Sequence, residues 1–435
     1  MRLLDAGEIV ATAPLAASGV ASMTYFVGLV AGFPDPLPLV LALVAGALCA
    51  AGIAIGIRRA RARSAPIPVL QVLMLAAVAC VVVWQAVLLY RDALVAPFSV
   101  SDAWTVWGFK AKLLAAGALT PDYWRDPSLT FSSQNYPLNV PIQESLFLRI
   151  GGQVGISLAV LIGPLEFASL SGLFLVGLTR LYGPCIACIA VLALGSAPLV
   201  QAFVPIGYAD WPLAAYGGAA VLYLLLWYRS GARVDLLLGG LFLGAEVWTK
   251  QEGDLAAGAL LLVAIAVAFG DTGSRRARLA PLGLFLVALL LNLPWLVFSH
   301  IVQPLSIAFL PATPATFLAN AGRLPGISRF FAIHMFDPSL WGVAWLTPAG
   351  LVFALALARR LSSEALCLFA LIVLQLAAYM VTFVFSAWQP FTLHMTVTVD
   401  RLLLQLVPAV TLLLAELLSL LSHPRPSGWH ITAGQ

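Results

Sequence analysis

Apolar blocks of about 20 residues, the length of a helix that crosses a bilayer core, alternate with short polar, Pro-rich or Arg-bearing breaks along nearly the whole chain. Twelve blocks fit the pattern: 9–32, 37–57, 67–95, 153–179, 184–205, 211–228, 235–249, 252–270, 280–298, 341–358, 364–386 and 402–421. They predict an all-α fold, a polytopic transmembrane helical bundle of about 12 spans filling a single domain over 1–435. Two connections are too long to be turns, 96–152 and 299–340. Within 96–152, Ser101 or Asp102 is placed to cap a helix whose apolar positions Trp104, Trp107, Phe109, Leu113 and Leu114 suit a helix lying in the membrane interface. A second short amphipathic segment, 142–150, follows the two prolines of Asn135-Tyr136-Pro137-Leu138-Asn139-Val140-Pro141, which extend the chain.

Composition sharpens this reading. The 435 residues are 61% hydrophobic and 10% charged, with a mean hydropathy of +0.98, which excludes an ordinary soluble surface. Arginine runs at 58–63, 229–233, 275–278 and 359–360 all fall on one side if the blocks alternate, and that side is expected to be cytoplasmic. Both termini are then inside, the two long connections outside, and Asp5 and Glu8 precede a first span expected to be a retained anchor. The net charge of +4 is a topology signal, so no nucleic-acid partner is expected. Cys49, Cys80, Cys185, Cys188 and Cys367 lie in apolar blocks and read as small apolar residues, not as a disulfide framework.

In so apolar a chain the ionisable residues on the outer side need reasons. Asp102 opens the first interfacial helix, with Lys110 and Lys112 two turns further along. Asp210, in Gly207-Tyr208-Ala209-Asp210-Trp211-Pro212, suits the cap of span six. Lys250 and Glu252 lie in the turn after a span of only about fifteen residues, sunk toward the membrane where charges must be paired or face a wet cavity. His394, Asp400 and Arg401 open the last span, and Arg401 at the positive end of a helix calls for an anionic partner, either Asp400 or a ligand. Glu166 reads as a structural carboxylate within span four. No metal-ligand spacing, nucleotide-binding loop or Ser-hydrolase motif occurs.

In order, DAWTVWGFKAK, NYPLNVP, GYADWPLAAY, TKQEG and LHMTVTVDRLLLQLVP resemble segments of bacterial membrane glycosyltransferases of the GT-C superfamily. The nearest branch is that of the protein O-mannosyltransferases and lipid A aminoarabinose transferase, and the likeness covers about residues 100–410. The resemblance implies a bacterial inner-membrane enzyme with an extracytoplasmic active face. It would move a sugar, with inversion, from a polyprenyl-phosphate carrier to a glycolipid, envelope glycan or protein. Asp102 would then be the catalytic acid or base acting on the acceptor hydroxyl. Lys110, Lys112, Tyr136, Asp210, Lys250, Glu252, His394 and Arg401 would bind substrate, with Lys250 and Arg401 nearest the donor phosphate. Ser101 and Ala103 flank a lone Asp102 where relatives carry paired acids, and Gln134-Asn135 stand where an acid or His is expected before Tyr136, so no metal cofactor is expected. Trp104, Trp107, Tyr123, Trp124, Tyr136, Trp211 and Trp248 are candidates for sugar stacking or for a belt at the membrane interface. The 299–340 connection, with Arg323, Arg329 and His334, is expected to act as a lid over the site. A polyprenyl-linked glycan flippase, or a glycan polymerase or ligase, remains the alternative.

Overall fold

The computed structural model describes residues 2–33, 36–37, 40, 43–44, 68–270 and 275–422. Most of span 37–57, the arginine run 58–63, Cys49 and the tail 423–435 lie outside the described residues. The rest is almost entirely helical, as the apolar blocks predict. The helices that matter for the site are α1 (Arg2–Val30), α2 (Val69–Val95), α3 (Phe109–Ala115), α4 (Asn139–Gly151), α5 (Ile162–Tyr182), α6 (Asp210–Ser230), α7 (Arg233–Val247), α8 (Glu252–Gly270), α9 (Arg275–Val302), α10 (Leu324–Met335), α11 (Ser363–Thr382) and α12 (Phe391–Ser422).

Seven described helices are long and apolar enough to cross a membrane, or eight if the pair Pro184–Ser196 and Pro198–Ile206, bent by 60°, is one broken span. The bend falls at Pro198, which cannot continue the backbone ladder of the preceding helix. α7 has 15 residues, the length its apolar block suggested, whereas Leu346–Leu357, with 12, is shorter than the block 341–358. Conversely, α12 runs for 32 residues, beginning at Phe391 and not at 402. Arg401 therefore lies about three turns inside a helix, and the helix-end argument for its partner falls away. Glu166 lies in the second turn of α5, not at mid-span.

Burial separates the helices into a centre and a rim. The apolar stretch of α12 is 94% buried and those of α5 and α6 are 78% buried, whereas those of α2 and α9 are only 17% and 22% buried. A helix apolar all round is expected either at the core or facing lipid, and this chain uses both. In lipid, close packing replaces hydrophobic burial as the force between helices. At the contact of α6 with α12, a Cβ on Gly218 would lie 2.5 Å from Pro408 Cβ, so only glycine lets the two central helices approach as they do.

The bundle has two polar ends. At one, Arg180 of α5 pairs with Asp5 and Glu8 of α1, and Arg229 at the end of α6 meets Glu364 at the start of α11 at 2.9 Å. At the other, 19 residues back along α6 from Arg229, or about 28 Å at helical rise, sit Asp210 and the groups it gathers.

Candidate functional site

The chain enters the site through a tight turn. Gly207, at φ +79°, occupies a left-handed conformation that a side chain would strain, and a Cβ there would come 3.0 Å from the Phe98 ring. The turn delivers Tyr208 and Asp210. Asp210 was expected to cap α6, but Ala209 holds the cap position and Asp210 is already the first residue of the helix. Its carboxylate instead collects three donors from distant segments. Arg401 Nε donates to Oδ2 at 2.9 Å, while Lys250 Nζ at 2.9 Å and Gln405 Nε2 at 2.8 Å both donate to Oδ1. Asp210 is wholly buried, which is tolerable only because it is paired and hydrogen-bonded so completely.

The same ions reach outward on both sides. Arg401 Nη1 donates to Asp102 Oδ2 at 2.6 Å, and Lys250 Nζ pairs with Glu252 Oε1 at 2.8 Å. Asp102, Arg401, Asp210, Lys250 and Glu252 thus form one alternating string of three acids and two bases. Exposure grades along it: the side chains of Lys250 and Asp210 are 1% and 0% accessible, Arg401 12%, Glu252 16% and Asp102 34%. Asp102 is therefore the carboxylate that reaches solvent, and its Oδ1 has no partner among the described residues. Its side chain makes no capping bond, and Arg401 holds its Oδ2. The guanidinium lies over the Tyr208 ring at 4.4 Å, a cation–π contact worth most where water is excluded.

Residues far from the string hold it in register. Asn139 of α4 donates to Thr249 Oγ1 at 2.7 Å, Gln143 donates to Asn139 Oδ1 at 2.9 Å and to the Tyr216 hydroxyl at 3.2 Å, and Trp248 Nε1 donates to Ser22 of α1 at 3.0 Å. These bonds tie α1, α4 and α6 to the end of α7, so the turn carrying Lys250 has little freedom. Burial disfavours a charged Lys250, but Asp210 and Glu252 more than offset it and hold its pKa above the ordinary lysine value.

Tyr136 sits against this assembly. Its ring stacks on Trp107 with centroids 5.6 Å apart and planes 3° from parallel, and the ammonium groups of Lys250 and Lys110 lie 5.6 and 5.9 Å from its centre. Burial, then the charge of Glu252, push its hydroxyl pKa upward, so Tyr136 stays a neutral donor. Lys110 is fully buried and donates to the Ser133 carbonyl at 2.8 Å. Burial without a carboxylate partner lowers its pKa to about 7.

Two of the candidate site residues, Lys112 and His394, lie off the string. Lys112 does not face Asp102: it is exposed and lies over the Trp104 ring at 4.0 Å. Replacing Lys112 with Ala is accordingly expected to change activity by less than about twofold, read as initial rate, because an exposed charge this far from the string is screened. His394 touches no charge of the string; it is 7% accessible, bonds Ser386 Oγ at 2.9 Å and stacks on Trp388 at 4.9 Å. The aromatic residues do not form a belt either. Trp107, Trp211 and Trp248 are 0% accessible and Tyr123 and Trp124 are 4% and 3%, leaving Trp104 as the exposed one at 47%. Their rings pack the bundle.

Lys110 makes a prediction of its own. Its folded pKa is about 7 against an ordinary 10.5, so between those values the unfolded chain binds more protons than the folded one. Stability therefore rises with pH from about 7 to about 10, and it is lower by a constant amount below the folded pKa. Lys110→Met should flatten that rise, measured as thermal midpoint against pH.

Sequence reading missed Gln405, Tyr208 and the pair His334–Asp400, whose Nδ1 and Oδ1 lie 2.6 Å apart. Gln405 was detectable as the polar residue one turn beyond Arg401 in an apolar helix. Asp400, one of the two expected partners of Arg401, instead joins α10 to α12, and Arg323 donates to the Ser386 carbonyl at 3.0 Å. The 299–340 segment is thereby stitched onto the last helices. No group of three or more His, Cys, Asp or Glu able to hold a metal occurs among the described residues.

Beside the Glu252 end of the string lies a cavity of about 520 Å³. Its wall includes Asn135 and Gln251, which flank Tyr136 and Glu252 in sequence and bond each other at 2.9 Å. No family model, curated protein or solved structure matches this chain. Fold and site together define a helical, membrane-embedded protein with a buried ion-pair string reaching solvent at Asp102.

Proposed function

We propose that the protein is an inverting glycosyltransferase, taking a sugar from a polyprenyl-phosphate carrier and attaching it to an extracytoplasmic acceptor: a glycolipid, an envelope glycan or a protein. The observation that carries this reading is the pairing of a solvent-reaching carboxylate, Asp102, with a guanidinium, Arg401, held from behind by buried Asp210. Glycosyl transfer from a phosphate needs those two functions side by side: a base for the incoming hydroxyl and fixed positive charge for the departing phosphate.

The Asp102 carboxylate takes the hydroxyl proton as the acceptor oxygen bonds to the anomeric carbon. The bond from that carbon to the phosphate oxygen breaks on the opposite face, and the phosphate leaves with the electron pair. The transition state is cation-like at the sugar, as in glycoside cleavage. Arg401 presents its remaining nitrogen, Nη2, which has no partner among the described residues, to the leaving phosphate. Lys250, buried between two carboxylates, acts by positioning Asp210 and so Arg401, not as a phosphate ligand. No step draws on a metal.

The test is label transfer in proteoliposomes containing the purified protein, a polyprenyl-phosphate sugar labelled in the sugar, and candidate acceptors. Transfer with release of polyprenyl phosphate supports the reading. Transbilayer movement of the intact lipid-linked sugar without bond cleavage would replace it with a flippase. Mass spectrometry of envelope glycans and glycolipids with and without the protein then identifies sugar and acceptor.

A further inference from the structure

The turns that carry Asp102 and Asp210 meet at one aromatic ring. Phe98 lies just beyond the end of α2 and is 4% accessible. The same edge of its ring, Cδ1 and Cε1, faces two glycines: a Cβ on Gly207 would come 3.0 and 3.3 Å from those atoms, and one on Gly108 3.7 and 3.8 Å. Gly207 opens the turn to Tyr208 and Asp210, and Gly108 closes the helical turn that follows Asp102. The two backbones touch each other there as well, since the Gly207 Cβ would lie 3.6 Å from that of Ala103. Ala103 and Tyr208 belong to the same apolar cluster as the ring.

Both sides of this contact hold uncommon backbone. Phe98 sits at φ +51°, a left-handed conformation that a bulky residue seldom occupies and glycine adopts freely. Such a residue persists where its surroundings over-determine it, so the position keeps phenylalanine for its ring. On the other side, Ala103–Gly108 form a π turn, with backbone bonds closing over five residues and not four. In an α-helix Asp102 and Trp107 would point about 140° apart at 100° per residue, whereas the wider turn brings them toward one face. Asp102 thereby reaches Arg401 while Trp107 stacks on Tyr136. A Cβ on Gly108 would lie 2.8 Å from the Ala103 carbonyl oxygen, so the π turn closes as it does only on glycine.

We infer that Phe98 is a positioning residue: its ring sets how the Asp102 turn seats against the Gly207 turn, and so holds the Asp102 carboxylate on Arg401. The two acids do not depend on it equally. Asp210 is anchored by three donors of its own, whereas the Asp102 carboxylate has Arg401 alone among the described residues. Loss of the ring is therefore felt at Asp102, and the buried half of the string keeps its bonds. The inference rests on the transferase reading only for its effect on rate; the placement of Asp102 against Arg401 stands without it.

The experiment compares Phe98→Gly, which keeps the left-handed turn without strain but removes the ring, with Phe98→Leu, which fills part of the space and keeps the test open if the glycine variant fails to fold. The readout is modification of Arg401 by phenylglyoxal in the full-length protein in nanodiscs, resolved by peptide mass spectrometry. The Arg401 side chain is 12% accessible with Asp102 upon it, so the parent should react slowly and Asp102→Ala several-fold faster. Phe98→Gly is expected to approach the Asp102→Ala rate, with Phe98→Leu between it and the parent. Combined with Asp102→Ala, Phe98→Gly should add nothing, because residues acting through one contact are not additive. In label transfer, Phe98→Gly should lower the rate at saturating carrier by about tenfold or more, as a misplaced catalytic group does, with KM for the carrier within about twofold of the parent. Parent-like Arg401 modification in the folded variants overturns the inference, as does a full further rise on top of Asp102→Ala. A parent that transfers no sugar defeats the transferase reading alone, and Arg401 protection still decides the role of Phe98.

Discussion

Asn in place of Asp102 is expected to cut sugar transfer by roughly 100-fold or more, the usual contribution of a positioned general base, while leaving the protein folded and able to bind the carrier. Two features of the string separate these effects. Asp102 is the member that reaches solvent, so its loss exposes no buried cavity. Arg401 keeps its bond to Asp210 through Nε, so the guanidinium is not stranded, and the stability change should stay within about 1 kcal/mol as for other partly exposed pairs. Initial rates of label transfer, measured beside thermal midpoints of the same preparations, check both halves. Turnover near the parent's in a folded Asp102→Asn protein removes this carboxylate as the base.

Asp210→Ala should behave in the opposite way, as a failure of the structure before it is a failure of chemistry. Asp210 is wholly buried and lies between Arg401 and Lys250, with Gln405 completing its bonds. Removing it leaves two cations in a low-dielectric interior with one carboxylate each, Asp102 and Glu252. Breaking a buried pair in this fashion costs about 3–5 kcal/mol, enough to consume much of a marginal stability. The expected result is a large drop in thermal midpoint in detergent, with Lys250 and Arg401 no longer held in register. A double replacement, Asp210→Ala with Lys250→Met, should recover part of the loss because it removes one stranded charge. If Asp210→Ala melts with the parent, the string carries none of the energy assigned to it.

The contrast between Asp102 and Asp210 explains why one motif type has two jobs here. Each opens a helix on the same side of the bundle, and from sequence each looks like a cap. Burial and charge decide otherwise. Asp210 sits where water cannot reach and becomes the anchor for two cations, and Asp102 sits at the edge and keeps one oxygen open. The same logic reassigns Lys250: a lysine gripped by Asp210 and Glu252 at 1% accessibility positions a neighbour and has no face to offer a phosphate.

Much of this was legible in the residues. The apolar blocks dictate helices, because a backbone in lipid must satisfy its own hydrogen bonds. The scarcity of charge in so apolar a chain marks Asp102, Asp210, Lys250, Glu252 and Arg401 as residues needing partners, and helical spacing ties Gln405 to Arg401. What the order of residues left open was who pairs with whom. Asp102 and Arg401 are separated by 299 positions, and nothing local chooses Asp210 over Asp400 as the carboxylate facing Arg401. That choice is made by the close crossing of α6 and α12 at Gly218 and Pro408 and by the early start of α12 at Phe391, which turns Arg401 inward and Asp400 toward His334. Periodicity likewise placed the tryptophans on apolar faces but did not distinguish a face against lipid from one against protein, since both are equally dry. Composition and hydropathy determined that this chain is a bundle of membrane helices with a few ions to be accounted for; only the tertiary packing, by setting depth and distance, decided which of those ions is buried scaffold and which one meets water.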